Sequence, residues 1–418
     1  MEKLSKLAET MVGSEIVRLG NEINERKRLG EQIFNFTIGD FDPAIFPIPQ
    51  ALEDLIIESY KEHYTNYPPA EGILDLRQSV SKFIKEWEGL DYSEAEVLIA
   101  SGGRPLIYAL FKTIVDENDK VIYAAPSWNN NHYTNLHKGK HCVIETTPEN
   151  NFMPTAEDIA ANIKDAALIC LCTPQNPTGT TLNKETLSRI CELVVEENKS
   201  RGEDEKKLYL MFDQMYWTLT YGEIEHYNPV SLNSAIRPYT IFIDGISKAF
   251  AATGVRVGWS FGPSAVLAKM KAFLSHIGAW APMAEQRATA KYLVQKELVQ
   301  DHFNTFKKDL EIRLHKIYDG IIALKSEGHS VDAITPQAAI YLTIKFDLAG
   351  KRTDDAILQT QENVTEYLLD KAKLAVVPFY AFGAEKNSPW YRLSVGTCTL
   401  NDIDMFLYQL KRALENLK

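Results

Sequence analysis

The residues with the clearest chemical potential are Lys248 and Arg256, which stand eight positions apart in the segment 247–259. An apolar run over 240–243 precedes Lys248 and predicts a buried strand. A lysine at the end of such a strand is partly desolvated, so its amine pKa falls and it can condense with a carbonyl group. An arginine in the following turn of small residues suits a fixed anion such as a phosphate. Either residue alone is better explained as part of a surface loop, so the prediction depends on the other strand ends.

Four further apolar runs also end in residues with chemical functions. Their lengths and their β-branched or aromatic residues predict buried strands over 97–100, 120–125, 168–172 and 207–212. The residues that follow these runs are Ser101, Gly102, Gly103 and Arg104, then Trp128, then Asn176 in an Asn-Pro-Thr-Gly turn, and finally Asp213 and Tyr216. Because open parallel sheets bind ligands at the carboxyl ends of their strands, we expect these side chains to meet Lys248 at one rim. Taken singly, Asp213 could be an N-cap, Asn176 a turn former and Trp128 a core residue; the combination favours a site.

Together these residues resemble the class I and II aminotransferases, which are pyridoxal-phosphate (PLP) enzymes of fold type I. The resemblance covers residues 36–397 and rests chiefly on the Asn-Pro-Thr-Gly motif at 176–179 and the Ser-Lys-Ala-Phe…Gly-x-Arg-x-Gly motif at 247–258. It implies that Lys248 forms a Schiff base with the cofactor. It further implies that Arg256 and the backbone of Ser101, Gly103 and Arg104 hold the phosphate, that Trp128 stacks on the ring, that Asp213 pairs with the ring nitrogen, and that Tyr216 and Asn176 bind the phenolic oxygen.

Three more segments extend this resemblance. Residues 36–40 resemble the family's N-terminal motif, in which a glycine, here Gly39, lies against the substrate. Residues 64–72 resemble the segment that sends a tyrosine, here Tyr67, into the phosphate site of the partner subunit, which implies a homodimer. Residues 391–394 resemble the motif whose arginine, here Arg392, binds the substrate α-carboxylate.

The chain departs from the family pattern at three positions. Gly245 stands where many members carry a hydroxyl residue, Gln214 stands where an acidic residue is commoner, and Pro105 has no N–H for the phosphate. Arg104 follows the two glycines where the bacterial aspartate aminotransferases, which this chain resembles, carry a lysine that reaches the substrate's distal carboxylate. A guanidinium could do the same, so aspartate and glutamate, with 2-oxoglutarate and oxaloacetate, are the expected substrates. The alternative is that Arg104 only neutralises the phosphate or faces solvent.

The expected activity is ping-pong transfer of an amino group between amino acids and 2-oxo acids. Trp128 and Trp217 keep aromatic or other neutral amino acids open as substrates. The same motifs would also serve a carbon–sulfur lyase or an aminocyclopropane-carboxylate-synthase-like enzyme. The effector-sensing module of a transcription regulator would need an added basic DNA-binding region, for which we expect no room in 418 residues.

The elements that must position these residues alternate between strands and helices from about residue 50 to residue 300. This alternation predicts an α/β fold with a mainly parallel central sheet flanked by helices, as a large PLP-binding domain over 46–300. A long helical pattern over 285–324 is the expected connector out of that domain. Residues 1–45 and 301–418, which include a strand-like run over 339–344, are expected to form a smaller α+β domain.

The composition excludes several other classes of protein. The net charge of −11 opposes nucleic-acid binding, because phosphates demand a basic face. No apolar run approaches the ~18 residues of a membrane helix, and the N-terminus lacks the apolar core of a signal peptide. The five cysteines match no zinc pattern, and nothing near His137 and His141 completes a site, so no metal is expected. We therefore expect a cytoplasmic enzyme.

Overall fold

The computed structural model describes residues 3–10, 13, 15–353 and 356–418. Within them the strands are β1 (Phe34–Asn35), β2 (Val97–Ala100), β3 (Lys120–Ala125), β4 (Lys140–Glu145), β5 (Ala166–Cys172), β6 (Tyr209–Asp213), β7 (Thr240–Gly245), β8 (Gly258–Phe261), β9 (Val331–Ala333), β10 (Tyr341–Phe346), β11 (Leu374–Ala375), β12 (Val377–Pro378) and β13 (Trp390–Ser394). The α-helices are α1 (Lys6–Thr10), α2 (Glu15–Arg28), α3 (Gln50–Lys61), α4 (Leu74–Glu88), α5 (Gly103–Ile114), α6 (Asn130–Leu136), α7 (Ala156–Asn162), α8 (Lys184–Ser200), α9 (Pro229–Leu232), α10 (Ile246–Ala249), α11 (Ser264–Ile277), α12 (Met283–Leu293), α13 (Lys296–Ser326), α14 (Gln361–Lys371) and α15 (Leu400–Glu415). Short 3-10 helices cover Glu94–Glu96, Pro148–Asn150, Ser234–Tyr239 and Phe379–Phe382. Across the described part of the chain, no helix combines the length and the apolar character that crossing a membrane requires.

The central sheet has seven strands in the described chain, in the order β2-β8-β7-β6-β5-β3-β4. Strands β7, β6, β5, β3 and β4 are parallel, whereas β8 is antiparallel to both of its neighbours. Strand β2 therefore runs in the same direction as β7. The five strands predicted from the sequence thus end at one rim, as expected. The sequence pattern missed β8, which is only four residues long, and β4, an edge strand with several exposed polar residues.

Two apolar layers cover the two faces of this sheet. Phe212 and Phe242 belong to a cluster that includes residues of α4 and α8. Met211 and Ile243, one position away on the same strands, belong to a second cluster with residues of α5 and α11. Successive residues therefore contact opposite layers, as the two-residue period of a strand requires. This alternation also decides which way the residues at the strand ends point.

A smaller region is built on an antiparallel sheet of four strands in the described chain, in the order β12-β13-β10-β9. Its apolar cluster joins Phe36, Leu342, Leu393 and Phe406 from distant parts of the sequence. The fold therefore contains the predicted α/β domain with a mainly parallel sheet and a smaller domain beside it. Strand β10 begins later than the predicted run, because Ala339 has a φ of +60° and leaves the extended conformation.

The helical pattern expected over 285–324 is two helices in the structure, α12 and α13, separated at residues 294–295. Helix α13 links the two cores, since Val299 and Phe303 belong to the central-sheet cluster whereas Phe306 and Leu310 belong to that of the small sheet. The domain boundary expected at residue 300 falls inside this helix and stays a prediction.

Candidate active site

Lys248 lies in the short helix α10, which begins directly after β7. Its Nζ donates a hydrogen bond of 2.6 Å to the carbonyl oxygen of Gly39. Burial lowers the pKa of the Lys248 ammonium to about 8; nearby guanidinium groups act in the same direction and the Asp40 carboxylate acts against it. An amine with this pKa is partly neutral near physiological pH, so it can attack a carbonyl or accept a proton.

Arg256 lies against the start of helix α5. Its Nη2 donates to the carbonyl oxygen of Ser101 and its Nη1 to that of Thr253, each at 2.7 Å. Gly102 has a φ of +98°, and a side chain there would collide with the Arg256 guanidinium. Because α5 begins at Gly103, the N–H groups of its first turn are available to an anion. The guanidinium and the helix start together fit a phosphate.

Gly245 departs from the family pattern for a steric reason. A Cβ atom at Gly245 would lie 2.8 Å from the Cα of Gly258, and one at Gly258 would lie 2.7 Å from the backbone of Gly102. The three glycines let β7, β8 and the start of α5 approach closely. The hydroxyl side chain that many relatives carry at this position would not fit here.

Asp213 ends strand β6, where its carboxylate accepts the backbone N–H of Met215 at 3.1 Å. Cys172 is its neighbour on β5, and the Cys172 thiol donates to the carbonyl oxygen of Pro174 at 3.4 Å. Burial raises the pKa of Asp213 to about 6, and the Met215 N–H and the nearby Cys172 thiol act against this shift. A cation placed beside this carboxyl would stabilise its ionised form, so the position suits a protonated ring nitrogen.

Arg392 is a buried cation that keeps N–H donors free for a ligand. Its Nη1 donates to Asn176 Oδ1 at 3.1 Å and its Nη2 to the carbonyl oxygen of Thr37 at 2.6 Å. Its Nε has no hydrogen-bond partner within the described residues. The guanidinium carbon lies 4.7 Å from the ring centre of Tyr341 and 4.9 Å from that of Phe382. Burial lowers the pKa of Arg392, and a carboxylate would compensate for that burial.

Tyr216 joins Arg392 to Lys248 through a second tyrosine. Its hydroxyl bonds to that of Tyr341 at 2.6 Å, and the Lys248 Nζ lies 5.9 Å from its ring centre. A Cβ at Gly39 would lie 2.8 Å from the Tyr341 hydroxyl, so only a glycine leaves this space open. Lys248, Gly39, Tyr216, Tyr341 and Arg392 therefore surround one space. Sequence reasoning did not identify Tyr341 or Phe382, since each was only an aromatic residue in an apolar stretch.

Arg104 and Trp128 lie together beside this space. The Arg104 guanidinium carbon is 5.1 Å from the centre of the Trp128 ring, a cation–π contact. Trp128 in turn lies 6.3 Å from Phe382, which also contacts Arg392. The Arg104 side chain is exposed, so its charge is available to a ligand.

Tyr67 is 82% exposed in the single chain. Among the described residues, its ring packs on Trp280 at 5.2 Å and not on a member of the Lys248 group. The other predicted site residues converge on the rim of the central sheet. A group that carries an aldehyde, a phosphate and a basic ring nitrogen fits the amine, the anion site and the buried carboxyl found there.

Comparison with known proteins agrees with this arrangement. The family model described as aminotransferase class I and II matches residues 31–410. An aspartate aminotransferase from Geobacillus stearothermophilus is 28% identical over 416 residues, which cover 99% of this chain and 99% of that protein. A solved structure of aspartate aminotransferase from Thermus thermophilus with maleate is 26% identical, with a TM-score of 0.87 over 99% of this chain and 100% of that one. The aspartate aminotransferase structure from Rhizobium meliloti, 22% identical with a TM-score of 0.89 over 100% of both chains, shares the fold.

Proposed function

We propose that this protein transfers amino groups between dicarboxylic substrates. The chain belongs to the class I and II aminotransferases and is therefore a pyridoxal-phosphate enzyme. Aspartate or glutamate would be the donor, and 2-oxoglutarate or oxaloacetate the acceptor, in a ping-pong reaction. The cofactor supplies an aldehyde that takes the amino group and a ring that takes up the electrons freed at Cα.

The number of guanidinium groups around Lys248 carries the dicarboxylate proposal. Arg104 contacts Trp128, which lies 6.3 Å from the Phe382 ring that Arg392 also contacts, and Arg256 lies against the start of the Arg104 helix. After burial, all three guanidinium groups lower the pKa of Lys248. The cofactor phosphate accounts for Arg256 and the substrate α-carboxylate for Arg392. Arg104 is then left for a further anion, which a neutral amino acid lacks and a dicarboxylic one provides. The maleate that accompanies the Thermus thermophilus aspartate aminotransferase is also a dicarboxylate.

Each residue of the site has a proposed role in the reaction. Lys248 takes the proton from Cα and returns it, a role worth ~10²–10⁴-fold in rate. Asp213 keeps the ring nitrogen protonated, because an opposite charge favours the charged form. Arg392 binds the α-carboxylate through parallel hydrogen bonds and so orients the Cα–H bond. Trp128 stacks on the ring, and Tyr216 and Asn176 bind its oxygen.

Replacement of Arg104 by glutamine tests the substrate class. Because the Arg104 side chain is exposed, the loss of its charge-assisted hydrogen bonds in Arg104→Gln should cost about 1.5–3 kcal/mol in kcat/KM for aspartate, while alanine and phenylalanine change little. Lys112→Gln is the matched control, because Lys112 is an exposed cation on the same helix. Equal losses for aspartate and alanine would assign Arg104 to the cofactor and remove the argument for acidic substrates.

Aromatic substrates are the second candidate, because one side of the site is aromatic. Trp128 and Phe382 lie 6.3 Å apart beside Arg392, and Arg104 could stack on an aromatic ring instead of binding a carboxylate. The same panel separates these functions, since phenylalanine would then have a higher kcat/KM than aspartate in the wild type. A lyase on the same scaffold would use the same residues, and only its products distinguish it.

The active form is proposed to be a homodimer. Tyr67 lines a surface cavity of about 570 Å³ together with the aromatic residues Tyr60, Tyr64 and Trp280. Tyr60 is 48% exposed and Tyr67 82% exposed, and a large exposed apolar patch usually marks a protein interface. In a dimer Tyr67 would reach the partner's phosphate site. A cytoplasmic location is part of the proposal, supported by the five cysteines, all free thiols.

A further inference from the structure

A carboxyl–amide pair, formed by a half-buried glutamate and a buried glutamine, lies directly behind Asp213, on the other face of the central sheet. Gln214 Nε2 donates to both carboxylate oxygens of Glu88, at 2.9 and 2.8 Å. The two residues are 126 positions apart in the sequence. We propose that Glu88 and Gln214 form a positioning pair that holds the Asp213 carboxyl in its orientation toward the cofactor ring. The inference rests on the proposed role of Asp213.

The geometry connects this pair to Asp213 through one tight turn. The Gln214 side chain is fully buried, and its backbone N–H donates to the carbonyl oxygen of Ile243 at 3.0 Å. The carbonyl oxygen of Gln214 accepts the N–H of Trp217 at 2.9 Å. Met215 N–H, the next donor along the chain, bonds to the Asp213 carboxylate. A shift of the Gln214 side chain would therefore move the turn that carries both the carboxyl and its donor.

The sheet alternation explains why the pair lies behind the site and not in it. Asp213 lies two positions after Met211, whose side chain faces the α5 layer. Gln214 lies two positions after Phe212, whose side chain faces the α4 layer. Glu88 is the last residue of α4. The pair therefore anchors the end of β6 to that helix without contacting the substrate space.

Electrostatics explain why residue 214 is an amide. A carboxylate at the C-terminus of a helix faces the partial negative charge of the carbonyl groups, so Glu88 needs a donor. Burial raises the pKa of Glu88 well above its usual range; the nearby Asp244 carboxyl acts in the same direction, and the Gln214 hydrogen bond opposes it. Asp244 Oδ2 accepts the Trp217 indole N–H at 3.0 Å, and burial raises the pKa of Asp244 to about 7. An acid at 214 would add a fourth carboxyl to Asp213, Asp244 and Glu88, whereas an amide donates to one of them.

An exchange of the two side chains tests the pair. The variants are Gln214→Glu, which places two acids face to face, and the double variant Glu88→Gln/Gln214→Glu, which restores an acid–amide contact. The control is Glu86→Gln, which removes an exposed carboxylate from the same helix. The readouts are the dissociation constant of pyridoxal phosphate from each protein, the pH midpoint of the bound cofactor's absorbance, and the melting temperature of the cofactor-free protein.

We expect Gln214→Glu to weaken cofactor binding about tenfold or more, since the amide donor is replaced by a carboxyl that faces the Glu88 carboxyl. It should also shift the absorbance midpoint, because the carboxyl beside the ring nitrogen moves. The double variant should restore both properties, with a dissociation constant within about threefold of the wild type. Glu86→Gln should leave both unchanged.

Two results would overturn the pair. The first is a Gln214→Glu protein that melts earlier but keeps the wild-type dissociation constant and midpoint, which would make the contact purely structural. The second is a double variant that restores neither the dissociation constant nor the absorbance midpoint. If Gln214→Glu does not fold, the dissociation constant and midpoint of the double variant alone test the proposal. Asp213→Asn separates the two proposals. Unchanged cofactor binding in Asp213→Asn would refute the role of Asp213. Weaker cofactor binding in Asp213→Asn, together with wild-type cofactor binding in Gln214→Glu, would refute only the positioning pair.

Discussion

Lys248 and Asp213 are partly buried groups whose ordinary charged forms the fold disfavours. Burial lowers the pKa of Lys248 from 10.5 to about 8 and raises that of Asp213 from 3.8 to about 6. An aldehyde that condenses with the amine and a protonated ring that faces the carboxyl would relieve both penalties. The site is therefore strained until its cofactor binds, which is common where function requires unusual protonation states.

Replacement of Lys248 by methionine, which is of similar size and uncharged, tests this strain. Because the unfolded chain binds more protons than the folded one between pH 8 and 10.5, Lys248 makes the cofactor-free protein less stable at low pH, and stability recovers as the pH rises through this interval. Lys248→Met should stabilise the cofactor-free protein at pH 7 by about 3 kcal/mol. The advantage should disappear near pH 10.5. Urea unfolding at pH 7 and pH 10 measures the stability difference between the two proteins. A difference that stays the same at both pH values would contradict this prediction.

At the scale of elements, the phosphate site depends on how closely β8 and the start of α5 approach. Gly258 packs against the backbone of both Gly245 and Gly102, and Gly102 also leaves room for Arg256. This packing brings the anion site and Lys248 together from three separate elements. The local sequence predicts each turn but not the contact between them.

Gly102→Ala separates backbone strain from loss of the phosphate site. Its φ of +98° disfavours any side chain, at a cost of about 1–3 kcal/mol of folding free energy, and its Cβ also collides with Arg256. Gly328→Ala is the matched control, since Gly328 has a φ of +96° but open space around it. Both variants should lose stability in the cofactor-free state, and only Gly102→Ala should bind pyridoxal phosphate more weakly. Equal cofactor affinity in the two variants would contradict the assignment of this anion site.

At the scale of the whole molecule, the proposed dimer makes each active site a product of two chains. Mixed dimers test this arrangement directly. Tyr67→Ala and Lys248→Ala subunits are each expected to be severely impaired alone. A mixed dimer would hold one intact site, which joins Lys248 of the first variant to Tyr67 of the second. Activity after subunit exchange should therefore exceed the sum of the activities that the two variants have separately. An activity equal to that sum, or a fully active monomer in sedimentation, would contradict the dimer.

The sequence predicted the strand ends and the residues that follow them, because both are local patterns. It could not predict Tyr341 as the partner of Tyr216, which lies 125 positions away, or Glu88 as the partner of Gln214. It identified Gly245 only as a departure from the family pattern, whereas the backbone contact with Gly258 explains why a glycine stands there. Each of these depends on long-range packing, which a single sequence does not record. The roles of the site residues follow from the resemblance and stay predictions until variants test them.

The central claim is that the enzyme transfers an amino group through Lys248, and a half-reaction tests it most directly. The holoenzyme is mixed with excess aspartate and no 2-oxo acid, and oxaloacetate, ammonia and the cofactor absorbance are followed. We predict one oxaloacetate per active site, no ammonia, full conversion of the cofactor to its amine form, and reversal on addition of 2-oxoglutarate. Lys248→Ala should complete almost none of this conversion on the same timescale. Continuous release of ammonia without an added oxo acid, or wild-type conversion in Lys248→Ala, would contradict the account.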